Sequence, residues 1–216
     1  MSLVSTKWLF NNRENVKIID CSWHLPNEKR NSLEEYNSEH IPNAVYFDID
    51  KNSDQNSDLP HMLPSKKQWE ETVSSLGISN DDKIIIYDNS DLISSCRLWY
   101  SFLYFGHNKE LVYILNGGLE KWNKEKLVTT NIKTDLVKTK YSAIVNNEMV
   151  KNLDEINDNI EEKKFKLVDA RSIDRFQGRI AEPREGLRSG SIKNSICLPF
   201  KEVINKDKTF KSLEHL

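Results

Sequence analysis

Five arginines, Arg171, Arg175, Arg179, Arg184 and Arg188, crowd the stretch that follows Asp169. A guanidinium is a planar, permanently charged fork that grips a carboxylate through two parallel hydrogen bonds. Arg175 and Arg184 stand nine positions apart and flank a loop, so they could offer two such forks to one anion. The same two also read as surface arginines paired with Asp174, Glu182 or Glu185, while Arg179 and Arg188 read as solvated. A second chemistry lies in the long polar stretch 48–64, which holds Asp50 and His61. An imidazole oriented by a carboxylate can shuttle a proton near neutral pH; alternatively His61 simply packs beside Pro60 and Met62.

Cys21, Cys96 and Cys197 lie far apart and fit neither a CxxC metal spacing nor a secreted disulfide framework. They point to a reducing, cytoplasmic setting with no structural metal and no cofactor. Cys96 precedes Arg97 near an expected helix start, where a thiolate is favoured, and Cys197 sits in an apolar run that reads as core. Gly117-Gly118 lacks the rest of any phosphate-binding pattern and reads as a turn.

These residues need a scaffold, and the apolar pattern supplies one. Buried strands are expected at Val16–Ile19, Ala44–Phe47, Ile84–Tyr87 and Leu111–Leu115. Helices are expected at Lys7–Asn12, at Leu33–Asn37 behind a Ser32 cap with Glu35, at Ser65–Ser74, around Arg97 up to Phe105, and after Gly118. Strands alternating with helices at this spacing argue for a parallel α/β sheet, whose ligands bind beyond the carboxyl ends of the strands. Residues 127–146 are weakly patterned and read as a linker. A further helix is expected with Met149, Leu153 and Ile156 on one face, and then a buried strand at Leu167-Val168. The net charge of −2 gives no reason to expect nucleic acid or an anionic membrane as partner. No apolar run approaches the roughly 20 residues of a membrane span, and residues 1–7 lack a signal-peptide layout.

The chain also repeats itself. Ile18-Ile19-Asp20 matches Leu167-Val168-Asp169, with the aspartates 149 positions apart, and Ile41-Pro42-Asn43 matches Ile192-Lys193-Asn194, 151 apart. Two copies of one α/β unit follow: 1–126, a linker over 127–146, and 147–216. The counterpart of Ile84–Asp88 should then fall near 237–239, which makes the second copy incomplete in this sequence. Phe176 to Ile192 is 16 positions where Tyr36 to Ile41 is 5, and the added loop carries Arg179, Arg184 and Arg188.

With IID…EEYNSEHIPNAVYFDID and LVDAR…DRFQG…EPREGLRSGSIKNS, supported by HMLP, IIIYD, CRLW and LNGGLEKW, the chain resembles the tandem rhodanese-type sulfurtransferases along its whole length. Arg184 in Glu182-Pro183-Arg184, and His61 in His61-Met62-Leu63-Pro64, make it more similar to the 3-mercaptopyruvate branch than to the thiosulfate branch. The resemblance implies two α/β rhodanese-like domains, each a parallel sheet flanked by helices, the second truncated here. It implies a non-catalytic first domain and a nucleophilic cysteine beyond Leu216. It assigns Arg175 and Arg184 to the carboxylate of a 2-oxo acid, and it places the Asp50–His61 loop at the active-site mouth. The implied activity moves sulfur from 3-mercaptopyruvate or thiosulfate to a thiol, cyanide or a thioredoxin-like acceptor, through a cysteine persulfide, in a monomer. Two rival readings are a non-catalytic rhodanese-like binding or regulatory module and a rhodanese-fold cysteine phosphatase.

Overall fold

The run Ile84-Ile85-Ile86-Tyr87 has no solvent exposure at any of its four residues. A strand covered on both faces must be apolar on both, which is the signature of a central parallel strand. In the computed structural model, which describes residues 3–91, 93–183 and 186–215, this strand lies at the middle of a five-stranded parallel sheet. The chain divides into two compact units, Met1–Asn147 and Glu148–Leu216.

The first unit runs β1 (Leu3–Val4), α1 (Thr6–Asn12), β2 (Lys17–Asp20), α2 (Ser32–Ser38), β3 (Ala44–Tyr46), α3 (Lys66–Ser75), β4 (Ile84–Tyr87), α4 (Ser94–Tyr104), β5 (Val112–Leu115) and α5 (Gly118–Lys124). The strand order is β1-β5-β4-β2-β3, and every pairing is parallel. The two faces of β4 feed two cores. Ile84 and Ile86 pack with Trp69, Phe102 and Phe105, whereas Ile85 and Tyr87 pack with Leu9, Tyr36 and Trp122. Trp69 stacks on Phe105 at 4.5 Å, joining α3 to the end of α4. The expected strands and helices of this unit are all present, within a residue or two of their expected ends for the most part. One cap differs. The α2 helix is capped by Asn31, whose side chain accepts from the backbone of Leu33 and Glu34, so Ser32 is inside the helix and is not its cap.

The weakly patterned stretch 127–146 lies along this first unit as an extended strap. Thr130 bridges to His40 through paired backbone bonds, Thr134 Oγ1 donates to the Ala44 carbonyl, and the Ile144 amide donates to the Phe105 carbonyl. Gly106, with φ of +79°, ends α4 where a Cβ would come within 2.5 Å of the Ile144 carbonyl, so only glycine lets the strap seat there.

The second unit contains α6 (Leu153–Glu162), β6 (Val168–Asp169), α7 (Ile173–Phe176) and β7 (Ile196–Cys197), with β6 and β7 paired in parallel. Asn152 and Glu155 form a reciprocal capping box that starts α6 at Leu153. Met149 therefore belongs to a separate 3₁₀ turn, not to the helix face expected for it. The strand expected to be buried at Leu167-Val168 is Val168–Asp169, and Val168 is 54% exposed. Its register partner Ile196 is 55% exposed, and Cys197 is half-buried where core was expected. Two strands of two residues carry too little surface to bury a face by themselves. No helix among the described residues is long and apolar enough to cross a membrane.

Candidate functional site

Parallel strands deliver their following loops to one end of the sheet. The chain leaves β2 toward β3 on one side and leaves β4 toward β5 on the other, so the sheet reverses direction between β2 and β4. That reversal opens a crevice at the carboxyl ends of the strands. Asp20 ends β2, and its Oδ1 accepts from both the backbone (2.9 Å) and the hydroxyl (2.6 Å) of Ser22. The Ser22 hydroxyl in turn accepts from the Asn89 amide at 2.8 Å, and the Trp23 amide donates to the Ser90 hydroxyl at 2.9 Å. The loop after β2 is thereby stitched to the loop after β4.

Asp88 opens that second loop. It is buried, and its two oxygens accept from the amides of Ser90 and Ser95, each at 2.9 Å. Its carbonyl accepts from Leu119 at 3.1 Å. Gly118, with φ of +56°, must be glycine because a Cβ would collide with that carbonyl. Gly117 thus lies in the turn expected of the pair, and Gly118 opens α5, with a packing reason.

Burial sets the protonation of the acids and thiols here. Desolvation pushes the Asp20 carboxyl up to about 6 from its ordinary 3.8, opposed by the hydrogen bonds from Ser22 and Tyr87. A group whose folded value is raised binds protons more tightly in the folded state, so stability falls as pH rises through that window. Between pH 4 and 7, Asp20→Asn is expected to flatten the stability profile. At pH 8 it should raise stability by about 1–2 kcal/mol, within the ~3 kcal/mol that the displacement allows. Urea unfolding of both proteins at pH 4, 6 and 8 checks this, and a parallel pair of profiles would refute it. Desolvation, with Asp88 nearby, also pushes the Cys96 thiol up to about 12 and the Cys21 thiol well above its usual range. Burial outweighs the helix start that made Cys96 a candidate thiolate.

The loop after β3 brings Asp50 and His61 together. His61 Nε2 lies 2.7 Å from Asp50 Oδ1, and Trp23 Nε1 donates to Asp50 Oδ2 at 2.9 Å. His61 has a left-handed backbone (φ 58°), and its carbonyl accepts from the Arg97 guanidinium. Trp23 and Arg97 were not anticipated as part of this group. Tryptophan three residues after a strand-ending aspartate gives no signal until the fold brings the β2 and β3 loops side by side.

In the second unit the arginines sort themselves. Arg171 binds Asp169 through Nε at 2.9 and 3.0 Å, and binds Glu182 through Nη1 at 2.7 Å. Arg175 holds Glu182 through both Nε and Nη2, which leaves Nη1 without a partner among the described residues. The Glu182 side chain is only 4% exposed, and the hydrogen bond from Arg175 holds its carboxyl below the usual carboxylate range. Of the candidates Asp174 and Glu182, Arg175 takes Glu182; the third, Glu185, lies outside the described residues. Arg179 reaches Asp174 at an exposed 3.4 Å. Arg184, the other expected clamp residue, lies outside the described residues. Burial raises the Cys197 thiol above its usual value, so it too is no ready nucleophile.

A rhodanese-like domain match covers residues 5–125, the span of α1 to α5 and the crevice just described. The chain belongs to the rhodanese family. It is 35% identical to the thiosulfate/3-mercaptopyruvate sulfurtransferase 1, mitochondrial, of Arabidopsis thaliana, over 99% of this chain and 62% of that relative. It is also 35% identical to the 3-mercaptopyruvate sulfurtransferase of Mus musculus, over 100% of this chain and 74% of that relative. Among solved structures, SseA from Escherichia coli, described as showing the rhodanese fold of 3-mercaptopyruvate sulfotransferases, superposes with a TM-score of 0.86 at 30% identity. That likeness covers 100% of this chain and 80% of SseA. The chain thus spans less than two thirds of its plant relative, and in its rhodanese-like first unit the loop after the central strand opens with an aspartate.

Proposed function

We propose that the full-length protein is a sulfurtransferase that takes sulfur from 3-mercaptopyruvate and passes it to a thiol. Arg175 carries this reading: Glu182 fixes its Nε and Nη2, and Nη1 remains for the carboxylate of a 2-oxo acid. Arg184 is proposed as its companion in the clamp. The domain division proposed is a non-catalytic rhodanese-like domain over 1–126, a connection over 127–146 and a catalytic one from 147 onward. The nucleophilic cysteine is placed in a loop near 237–239, outside this sequence. The chemistry then balances in two steps. The cysteine thiol and 3-mercaptopyruvate give a cysteine persulfide and pyruvate; an acceptor thiol then takes the outer sulfur as its own persulfide and restores the cysteine.

Within the first unit, Asp88 supports a role without sulfur chemistry. A carboxylate occupies the start of the loop and takes up the amide of Ser90 in the loop and that of Ser95 at the start of α4, and the cysteines nearby are held as thiols. Asp50 and His61 are proposed as a proton-transfer pair. Three free cysteines fit a reducing compartment, and we propose the cytoplasm, a monomer, and a small thiol or thioredoxin-like protein as acceptor. The full-length protein is expected to release pyruvate from 3-mercaptopyruvate in the presence of a thiol, faster than it consumes thiosulfate. Thiosulfate as the better donor, or no pyruvate at all, would sink the proposal.

A further inference from the structure

We infer that Trp23 is the positioning residue of the Asp50–His61 pair, fixing the imidazole as its Nε2–H tautomer so that Nδ1 is the atom that accepts a proton. The inference rests on the proton-transfer role proposed above for that pair, and it adds the residue and the ring atom.

Asp50 is an exposed carboxylate, 65% open at its side chain, and among the described residues its own loop meets that carboxylate only through His61, the group to be oriented. An indole Nε1 can only donate, and an ionised carboxylate can only accept. The 2.9 Å bond from Trp23 therefore commits Oδ2 and turns Oδ1 toward His61. His61 Nε2, at 2.7 Å from Oδ1, must then carry the proton, and Nδ1 is left with its lone pair and no partner among the described residues. Trp23 also meets the imidazole edge to face, with centroids 4.8 Å apart and planes at 88°, so the ring is held from two directions. An anchor has to be fixed more firmly than what it anchors, and Trp23 is. Its amide donates to Ser90 at 2.9 Å, and its side chain packs on the core cluster that contains Trp69 and Phe102. On the far side, Arg97 holds the His61 carbonyl and so fixes the backbone from which the ring projects. A thiol approaching from solvent would give its proton to Nδ1.

Trp23→Phe keeps an aromatic ring against His61 and removes only the indole N–H. Long-range ¹H–¹⁵N NMR of histidine-labelled protein reads the tautomer directly and needs no turnover. In the parent protein neutral His61 should be the Nε2–H form, and in Trp23→Phe a mixture. In the full-length enzyme the same variant should lower kcat about tenfold with KM little changed. An Nδ1–H tautomer in the parent protein would overturn the inference without any variant. So would an unaltered tautomer and unaltered kcat in Trp23→Phe. If the full-length protein turns over no sulfur donor, the sulfurtransferase reading falls, while the tautomer comparison still decides the role of Trp23.

Discussion

Arg175→Ala is expected to lower kcat/KM for 3-mercaptopyruvate, the proposed donor, by about 10²–10³-fold in the full-length protein, since truncating one side of a charge-assisted pair costs several kcal/mol. The substitution removes the fork's Nη1, and it also strips Glu182 of two of its donors, leaving that carboxylate to Arg171 alone among the described residues. The two consequences can be separated. Glu182→Gln leaves Arg175 in place and loosens its hold, so KM for mercaptopyruvate should rise more than kcat falls. Thiosulfate carries no carboxylate, so its turnover should suffer less than that of mercaptopyruvate in Arg175→Ala. Arg184→Ala should behave as Arg175→Ala does. Steady-state kinetics with both donors settles the matter. Unchanged kcat/KM for mercaptopyruvate, or an equal loss with thiosulfate, would remove Arg175 from the substrate site.

Asp88→Ala should destabilise the chain by about 3–4 kcal/mol, read from the urea midpoint at constant slope. The carboxylate is buried and serves the amides of Ser90 and Ser95, and Ser95 lies in the first turn of α4. That helix has no cap of its own: Ile93 precedes it in a left-handed conformation (φ 51°) and offers no side-chain bond. Asp88 is thus the cap, supplied from the end of β4. Alanine removes the carboxylate that accepts from both amides. Asn at the same place keeps one acceptor oxygen and puts an N–H₂ where the other stood, so Asp88→Asn should cost about half as much. A loss below ~1 kcal/mol in Asp88→Ala would mean that water reaches the loop and takes over the bonds. The same geometry bears on function: the amides of Ser90 and Ser95, already engaged by Asp88, are not on offer to an external anion.

Much of the first unit was legible because its physics is local. Four isoleucine- or valine-rich runs, each ended by a polar turn and each followed by a helix-compatible stretch, admit few arrangements other than a parallel sheet with helices on its faces. The repeat of Ile-Ile-Asp as Leu-Val-Asp, and of Ile-Pro-Asn as Ile-Lys-Asn, carried the resemblance to tandem rhodaneses. Membership of the rhodanese family follows from the match over residues 5–125. Local rules failed where two neighbours compete for one job. Asn31 and Ser32 are both good caps, and the path of the backbone into α2 gives the place to Asn31. Met149 keeps helical spacing with Leu153, but the Asn152–Glu155 capping box starts the helix after it.

The sequence by itself determined which residues could do chemistry here: two arginines with forks, an aspartate and a histidine in one loop, and three cysteines without a metal spacing. Only the tertiary structure decided what each is bonded to. Arg175 could have met Asp174 or Glu182, and the fold delivers Glu182. Cys96 could have been activated by its helix, and the carboxylate and apolar surroundings that the sheet brings to it hold it as a thiol. Trp23 joins Asp50 across 27 positions of chain because the loops after β2 and β3 leave the sheet at the same end. The physical reason is common to all three. Residue type fixes what a group can donate, accept or titrate, whereas distance and burial fix which of these it does, and both come from contacts remote in sequence.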